Sequence, residues 1–138
     1  METHAAKRAY SVSRSLRDKG KLGVMGGYHP TIMPEDAAPH ADILMLGNAE
    51  GVWADMLADI AAGKHKARYQ GAPRMDYGLP DRSIYGKNAK KYLPIGLVEV
   101  GRGCHHSCEF CSIQSYYNRC YVHRPIEDIL AEIQGYKS

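Results

Sequence analysis

Cys104, Cys108, Cys111 and Cys120 are the only cysteines of the chain, and the first three spell C-x3-C-x2-C in a short polar segment. Thiolates are soft ligands suited to zinc, copper(I) or iron–sulfur centres. Three of them so close in sequence converge only if the loop curls round a shared centre. A cubane 4Fe–4S cluster normally takes four cysteines. Three leave one iron open for a small ligand, and open coordination separates a catalytic metal site from a closed structural one. Zinc is the alternative, with Cys104, Cys108 and Cys111 closed by Cys120, His105, His106 or His123. Structural zinc usually draws two ligand pairs from separate hairpins, and no second pair follows here. A disulfide framework would spread its cysteines along the chain rather than gather them in one loop.

The elements around this loop are those of an α/β fold. Ala5, Ala9, Val12 and Leu16 recur at helical spacing before Gly20, which predicts a helix over 5–19. Leu22–Met25 and Ile43–Leu46 are short apolar runs without polar alternation, as expected of strands buried on both faces of a parallel sheet. Val52, Trp53, Met56, Leu57, Ile60 and Ala61 form one face of a helix closed by Gly63. Residues 64–93 carry eight basic residues against Asp76 and Asp81, interrupted by Gly and Pro, and read as a connector between two domains. Four tyrosines there would suit a nucleic-acid surface, but a solvated basic linker is the simpler reading. Pro94–Val100 is a strand candidate that runs into Gly101-Arg102-Gly103 and the cysteine loop. Pro125 then opens a helix with Ile126, Ile129, Leu130 and Ile133 on one face.

The composition, 44% hydrophobic and 24% charged with a net charge of +3, excludes disordered, collagenous and coiled-coil classes. No apolar run approaches the roughly 18 residues of a membrane span, and the first residues lack a signal peptide's apolar core. The expected compartment is the cytoplasm.

Gly101-Arg102-Gly103-Cys104 through Cys108-Glu109-Phe110-Cys111, with Arg124-Pro125 and Glu132-Ile133 downstream, resembles the signature of the radical S-adenosylmethionine enzymes. The resemblance implies that Cys104, Cys108 and Cys111 hold a 4Fe–4S cluster and that the fourth iron chelates S-adenosylmethionine. Reductive cleavage of the sulfonium then yields a 5′-deoxyadenosyl radical. Phe110 corresponds to the aromatic residue that lies against the adenosyl group. Cys120 is surplus to the three ligands. The electron would come from a donor such as flavodoxin or ferredoxin, and the substrate would be an organic molecule rather than a nucleic acid.

Upstream, Gly26-Gly27-Tyr28-His29-Pro30-Thr31, the Ala41-Asp42 strand start, the Gly47-Asn48-Ala49-Glu50 turn and the Trp53 helix resemble the cobalamin-binding domain that precedes the radical domain in one large subfamily. This implies corrinoid contacts from Gly26, Gly27, His29, Thr31, Gly47 and Glu50. His29 follows a later strand than the usual cobalt ligand and is not read as one. The expected architecture is therefore α/β. Residues 1–63 form the C-terminal half of a doubly wound, Rossmann-like cobalamin domain, and 64–93 form the basic linker. Residues 94–138 form the first βα unit of a partial TIM-type radical barrel, which needs on the order of 250 residues in full. The sequence reads as an internal slice of a cobalamin-dependent methyltransferase, inactive on its own. The rival reading is a zinc-stabilised nucleic-acid-binding module.

Overall fold

The computed structural model describes residues 1–75, 78–86, 91–93 and 95–136. Helix α1 (Ala6–Arg17) ends where Gly20, at φ +70°, turns the chain back. Strand β1 (Val24–Gly26) leads into two short helices, α2 (Tyr28–Ile32) and α3 (Pro34–Ala37). Strand β2 (Ile43–Gly47), helix α4 (Trp53–Ala61) and strand β3 (Arg68–Gly71) follow. The three strands make one parallel sheet in the order β1-β2-β3, with Val24 opposite Ile43 and Leu44 opposite Arg68.

The central strand is apolar on both sides because both of its faces are covered. Ile43 and Met45 pack with Met56 of α4 and Tyr69 of β3, while Leu44 packs with Met25 and Ala37 on the other face. Ile43 and Met56 are completely buried. Asp42 fixes the start of β2. Its Oδ2 accepts the Gly23 N–H at 2.7 Å and its Oδ1 pairs with Arg17 Nε at 3.1 Å, tying β1, β2 and the end of α1 together. The helix over α1 and the apolar strands over 24–26 and 43–47 agree with the sequence reading.

The stretch 64–93 differs from the connector expected of it, since it supplies β3. It also holds a short helix, α5 (Ser83–Gly86). Among its basic residues, Arg68 pairs with Glu35 at 2.8 Å, Arg82 pairs with Glu132 and lies 4.9 Å from the Tyr136 ring centre, and Lys66 Nζ stands 5.7 Å from the Tyr69 ring centre. Lys87 and Lys90, also counted in the basic stretch, lie outside the described residues.

The carboxyl-terminal part is also built differently from a strand–loop–helix unit. Residues 95–100 form no strand, and Pro94 lies outside the described residues. The strand is instead β4 (Gly101–Gly103), paired antiparallel with β5 (Tyr121–His123), with Arg102 opposite Val122. The cysteine loop and helix α6 (Ser112–Tyr117) lie between these two strands. Asn118 and Arg119, both at positive φ, turn the chain from α6 towards β5. Helix α7 (Ile126–Gly135) begins after Pro125, as its sequence predicts. It is anchored by Glu132, which is buried with Arg124. No helix among the described residues is long and apolar enough to cross a membrane.

Candidate functional site

Two loops rise at the carboxyl ends of β1 and β2, the usual ligand edge of an open parallel sheet. Thr31 joins them: its hydroxyl donates to the Gly27 carbonyl at 2.8 Å and accepts the Gly47 N–H at 2.9 Å. Gly47, at φ +69°, lies so close to β3 that a Cβ would stand 2.4 Å from the Gly71 carbonyl oxygen. Only glycine fits there. Gly26 ends β1 against Met45. Gly27, at φ +97°, backs onto the Met1 backbone.

His29 is set apart from this edge. It is buried, its Nε2 lies 2.9 Å from both the Tyr10 hydroxyl and Asp36 Oδ2, and its Nδ1 lies 3.2 Å from Thr3 Oγ1. The Tyr10 hydroxyl also donates to Asp36 Oδ2 at 2.7 Å, and that bond, followed by the one with His29, holds Asp36 below the ordinary carboxylate value. Burial, with the Asp36 hydrogen bond, pushes Tyr10 up to about 12. The structure thus gives His29 a packing role between α1, α2 and α3.

Glu50 completes the second loop and reaches across to the cysteine segment. Its Oε1 pairs with Arg102 Nη1 at 2.7 Å, while Glu99 grips the same guanidinium at Nε (2.8 Å) and Nη2 (2.9 Å). The two carboxylates hold Arg102 above its ordinary value, the Glu99 hydrogen bond most of all. Asn48, buried in the same turn, donates Nδ2–H to the Arg74 carbonyl at 3.0 Å, and Arg102 also approaches that carbonyl.

Three tyrosines fill the space beside this ion pair. Tyr28 lies on Tyr116 with ring centres 4.4 Å apart, and Tyr116 meets Tyr117 edge-on at 4.7 Å. Burial, reinforced by the neighbouring phenols, pushes Tyr117 up to about 12, so the cluster stays neutral at physiological pH. A cavity of about 140 Å³ opens here, lined by Gly47, Gln70, Gly71, Tyr116, Tyr117 and Asn118 among others. The sheet edge and the cysteine hairpin therefore share one seam.

The cysteine loop runs from β4 to α6 without a helix or strand. All four cysteines are free thiols, Cys108 the most open of them. The His106 N–H points at Cys104 Sγ at 3.5 Å, and the Cys111 N–H donates to the Cys108 carbonyl at 3.1 Å. Among the described residues no three His, Cys, Asp or Glu side chains stand close enough together to hold a metal ion. The donor chemistry still fits a cluster: three reduced thiols sit on one irregular loop, within reach of solvent, and the His106 amide points at one of the sulfurs. Phe110, beside them, is 93% exposed.

Over 137 residues, covering 96% of its length, the chain is 30% identical to the bacteriochlorophyllide d C-12(1)-methyltransferase of Chlorobaculum tepidum. Over 126 residues, 86% of its length, it is 33% identical to the bacteriochlorophyllide d C-8(2)-methyltransferase of the same organism. It is similar to methyltransferases. The chain spans 30% and 28% of the lengths of these curated relatives. No family model and no solved structure matches it.

Of the residues singled out in the sequence, Gly26, Gly27, Thr31, Gly47 and Glu50 lie at the ends of β1 and β2 or in the loops that follow, while His29 bonds to Tyr10 and Asp36. Sequence reasoning missed Arg102 as the residue that joins the two parts. No local pattern links it to Glu50, 52 residues away.

Proposed function

We propose that this chain is part of a radical S-adenosylmethionine enzyme that transfers a methyl group to carbon of an organic substrate. Cys104, Cys108 and Cys111 would hold the 4Fe–4S cluster as thiolates, and the glycine-rich edge at Gly27, Gly47 and Glu50 would face cobalamin. The observation that carries this reading is the triple-cysteine loop, read together with similarity to two methyltransferases along nearly the whole chain. Bacteriochlorophyllides, named for both relatives, are the first acceptor class to test for the complete protein.

A bound 4Fe–4S cluster supplies a low-potential electron for reductive cleavage of S-adenosylmethionine. The chain's own contribution is positional. Gly103, at φ +90°, turns the backbone directly before Cys104. Phe110, the residue before Cys111, offers an apolar face to the adenosyl group. Buried Tyr117, with Tyr28 and Tyr116 half-buried beside it, keeps water from one flank of the loop, and exclusion of water protects radical chemistry.

Anoxic reconstitution of the 138-residue chain with iron and sulfide tests the reading. The expected product is brown and oxygen-labile, with about four irons per chain. Changing any of Cys104, Cys108 or Cys111 to alanine is expected to remove most of the colour and iron, while Cys120→Ala leaves both near the unsubstituted level. A colourless product holding one zinc, with iron refused, would overturn it. The nucleic-acid alternative is not favoured: Arg68 and Arg82 of the basic stretch are spent on Glu35 and Glu132.

A further inference from the structure

We infer that Arg102 is a positioning residue, a latch that fastens the cysteine hairpin to the sheet through Glu50. The inference rests on the cysteine loop being the metal-holding element, and it concerns what keeps that loop in place.

The cysteine loop has little regular structure of its own to hold it. Strands β4 and β5 are three residues each, and α6 is six. A two-stranded ribbon of this size is marginal unless it packs on something larger. What it packs on is the ligand edge of the parallel sheet, and the contact has two components. One is aromatic, Tyr28 against Tyr116, which in turn meets Tyr117. The other is ionic, Arg102 to Glu50.

Arg102 is well suited to the second task. It lies two residues before Cys104, on the strand from which the loop departs, so fixing its guanidinium fixes the loop's root. Its side chain is only 17% exposed, which shields the pair from the screening that weakens surface ion pairs. Glu99 holds two of its nitrogens, presetting the fork so that Nη1 is aimed at Glu50. Glu50 is fixed in turn, because it closes the turn whose first residue, Gly47, is bonded to Thr31. The chain of contacts is continuous from the sheet edge to the first cysteine. A group bound at the Gly47–Glu50 turn and one bound at the thiols would thus meet a single rigid frame.

Hydrogen exchange on the 138-residue chain without metal reads the latch directly, because local opening exposes amides that the closed hairpin protects. In Arg102→Gln and in Glu50→Gln, amides of α6 and β5 are expected to exchange about tenfold faster, while those of β2 stay within about twofold. The double variant should match either single one, since two residues acting through one shared contact are not additive. Arg102→Lys, which keeps the cation but not the fork, should recover at least about half of the protection. The latch is overturned if the single variants leave α6 and β5 unchanged, if β2 loosens equally, if the two effects add, or if lysine recovers nothing. Failure of all versions to take up iron, with the exchange pattern intact, would sink the cluster reading and leave the latch standing.

Discussion

Gly103→Ala is expected to open the cysteine hairpin while leaving the sheet folded. Gly103 sits at φ +90°, where a side chain is strained by roughly 1–3 kcal/mol. A Cβ there would also stand 1.9 Å from the Cys120 carbonyl oxygen and 3.3 Å from Tyr117 Cβ. Neither neighbour is a free side-chain end that can swing aside. The carbonyl belongs to the backbone at the mouth of the hairpin, and Tyr117 is buried and packed against Tyr116. Strain and clash act at one point, so the expected local cost is about 3 kcal/mol or more. The predicted result is loss of protection at Tyr121 and Val122 and, after reconstitution, less than about half the iron of the unsubstituted chain. Gly63→Ala is the control, because Gly63 has φ +65° but open space around its missing Cβ. It should lose about 1 kcal/mol by urea denaturation and none of its iron uptake. Equal iron uptake by the two variants would show that Gly103 does not set the loop.

The contrast between β2 and β3 explains how far the fold can be read from sequence. Ile43, Leu44 and Met45 are buried on both faces of the sheet, so the run is apolar without interruption and stands out. β3 lies at the sheet's edge, and its burial alternates: Arg68 and Gln70 are exposed, Tyr69 and Gly71 buried. Four such residues inside a basic, glycine-broken stretch look like linker. Pro94–Val100 misleads in the opposite way. Its residues favour strand, yet Ile95 and Leu97 are among the most exposed apolar residues described, because among the described residues no neighbouring strand covers them. Strand identity is conferred by the partner, and among the described residues here it is Gly101–Gly103 that finds one in β5.

The candidate site divides along the same line. The cysteine triplet is a local pattern, complete within eight residues, and it can be read directly. The pairing of Arg102 with Glu50 spans 52 residues, and nothing in either neighbourhood announces the other. His29 shows the same limit. The resemblance implies a corrinoid contact for it, while its Nε2 partners Tyr10 and Asp36 come from elements that local sequence does not place beside it.

Glu132→Gln is expected to cost the chain about 3–5 kcal/mol, the penalty typical of removing one partner from a buried ion pair. Glu132 Oε2 accepts from Arg124 Nη1, and Oε1 accepts from Arg82 Nη2. The side chains of Glu132 and Arg124 are 3% and 1% exposed, so water cannot replace the lost carboxylate. An amide would leave two guanidiniums facing one another, with Arg124 still enclosed beside the Glu99 carbonyl that it reaches at 3.2 Å. The effect has a pH signature of definite sign. The Arg124 hydrogen bond, aided by Arg82, holds Glu132 below the ordinary glutamate value of 4.5 in the folded chain. The unfolded chain thus takes up the proton first as pH falls. The stabilisation is fully present above about pH 4.5 and is lost as pH drops through the folded-state value. Urea denaturation from neutral to acid pH should therefore show the unsubstituted chain losing stability more steeply than Glu132→Gln, with the gap between them closing at the acid end. A gap that stayed constant would mean that packing, rather than charge, holds α7 to the hairpin. Because Arg82 comes from the 64–93 stretch and Glu132 from α7, this pair also fastens the middle of the chain to its end. A loss confined to α7 would contradict that, and exchange at the amides around Arg82 distinguishes the two.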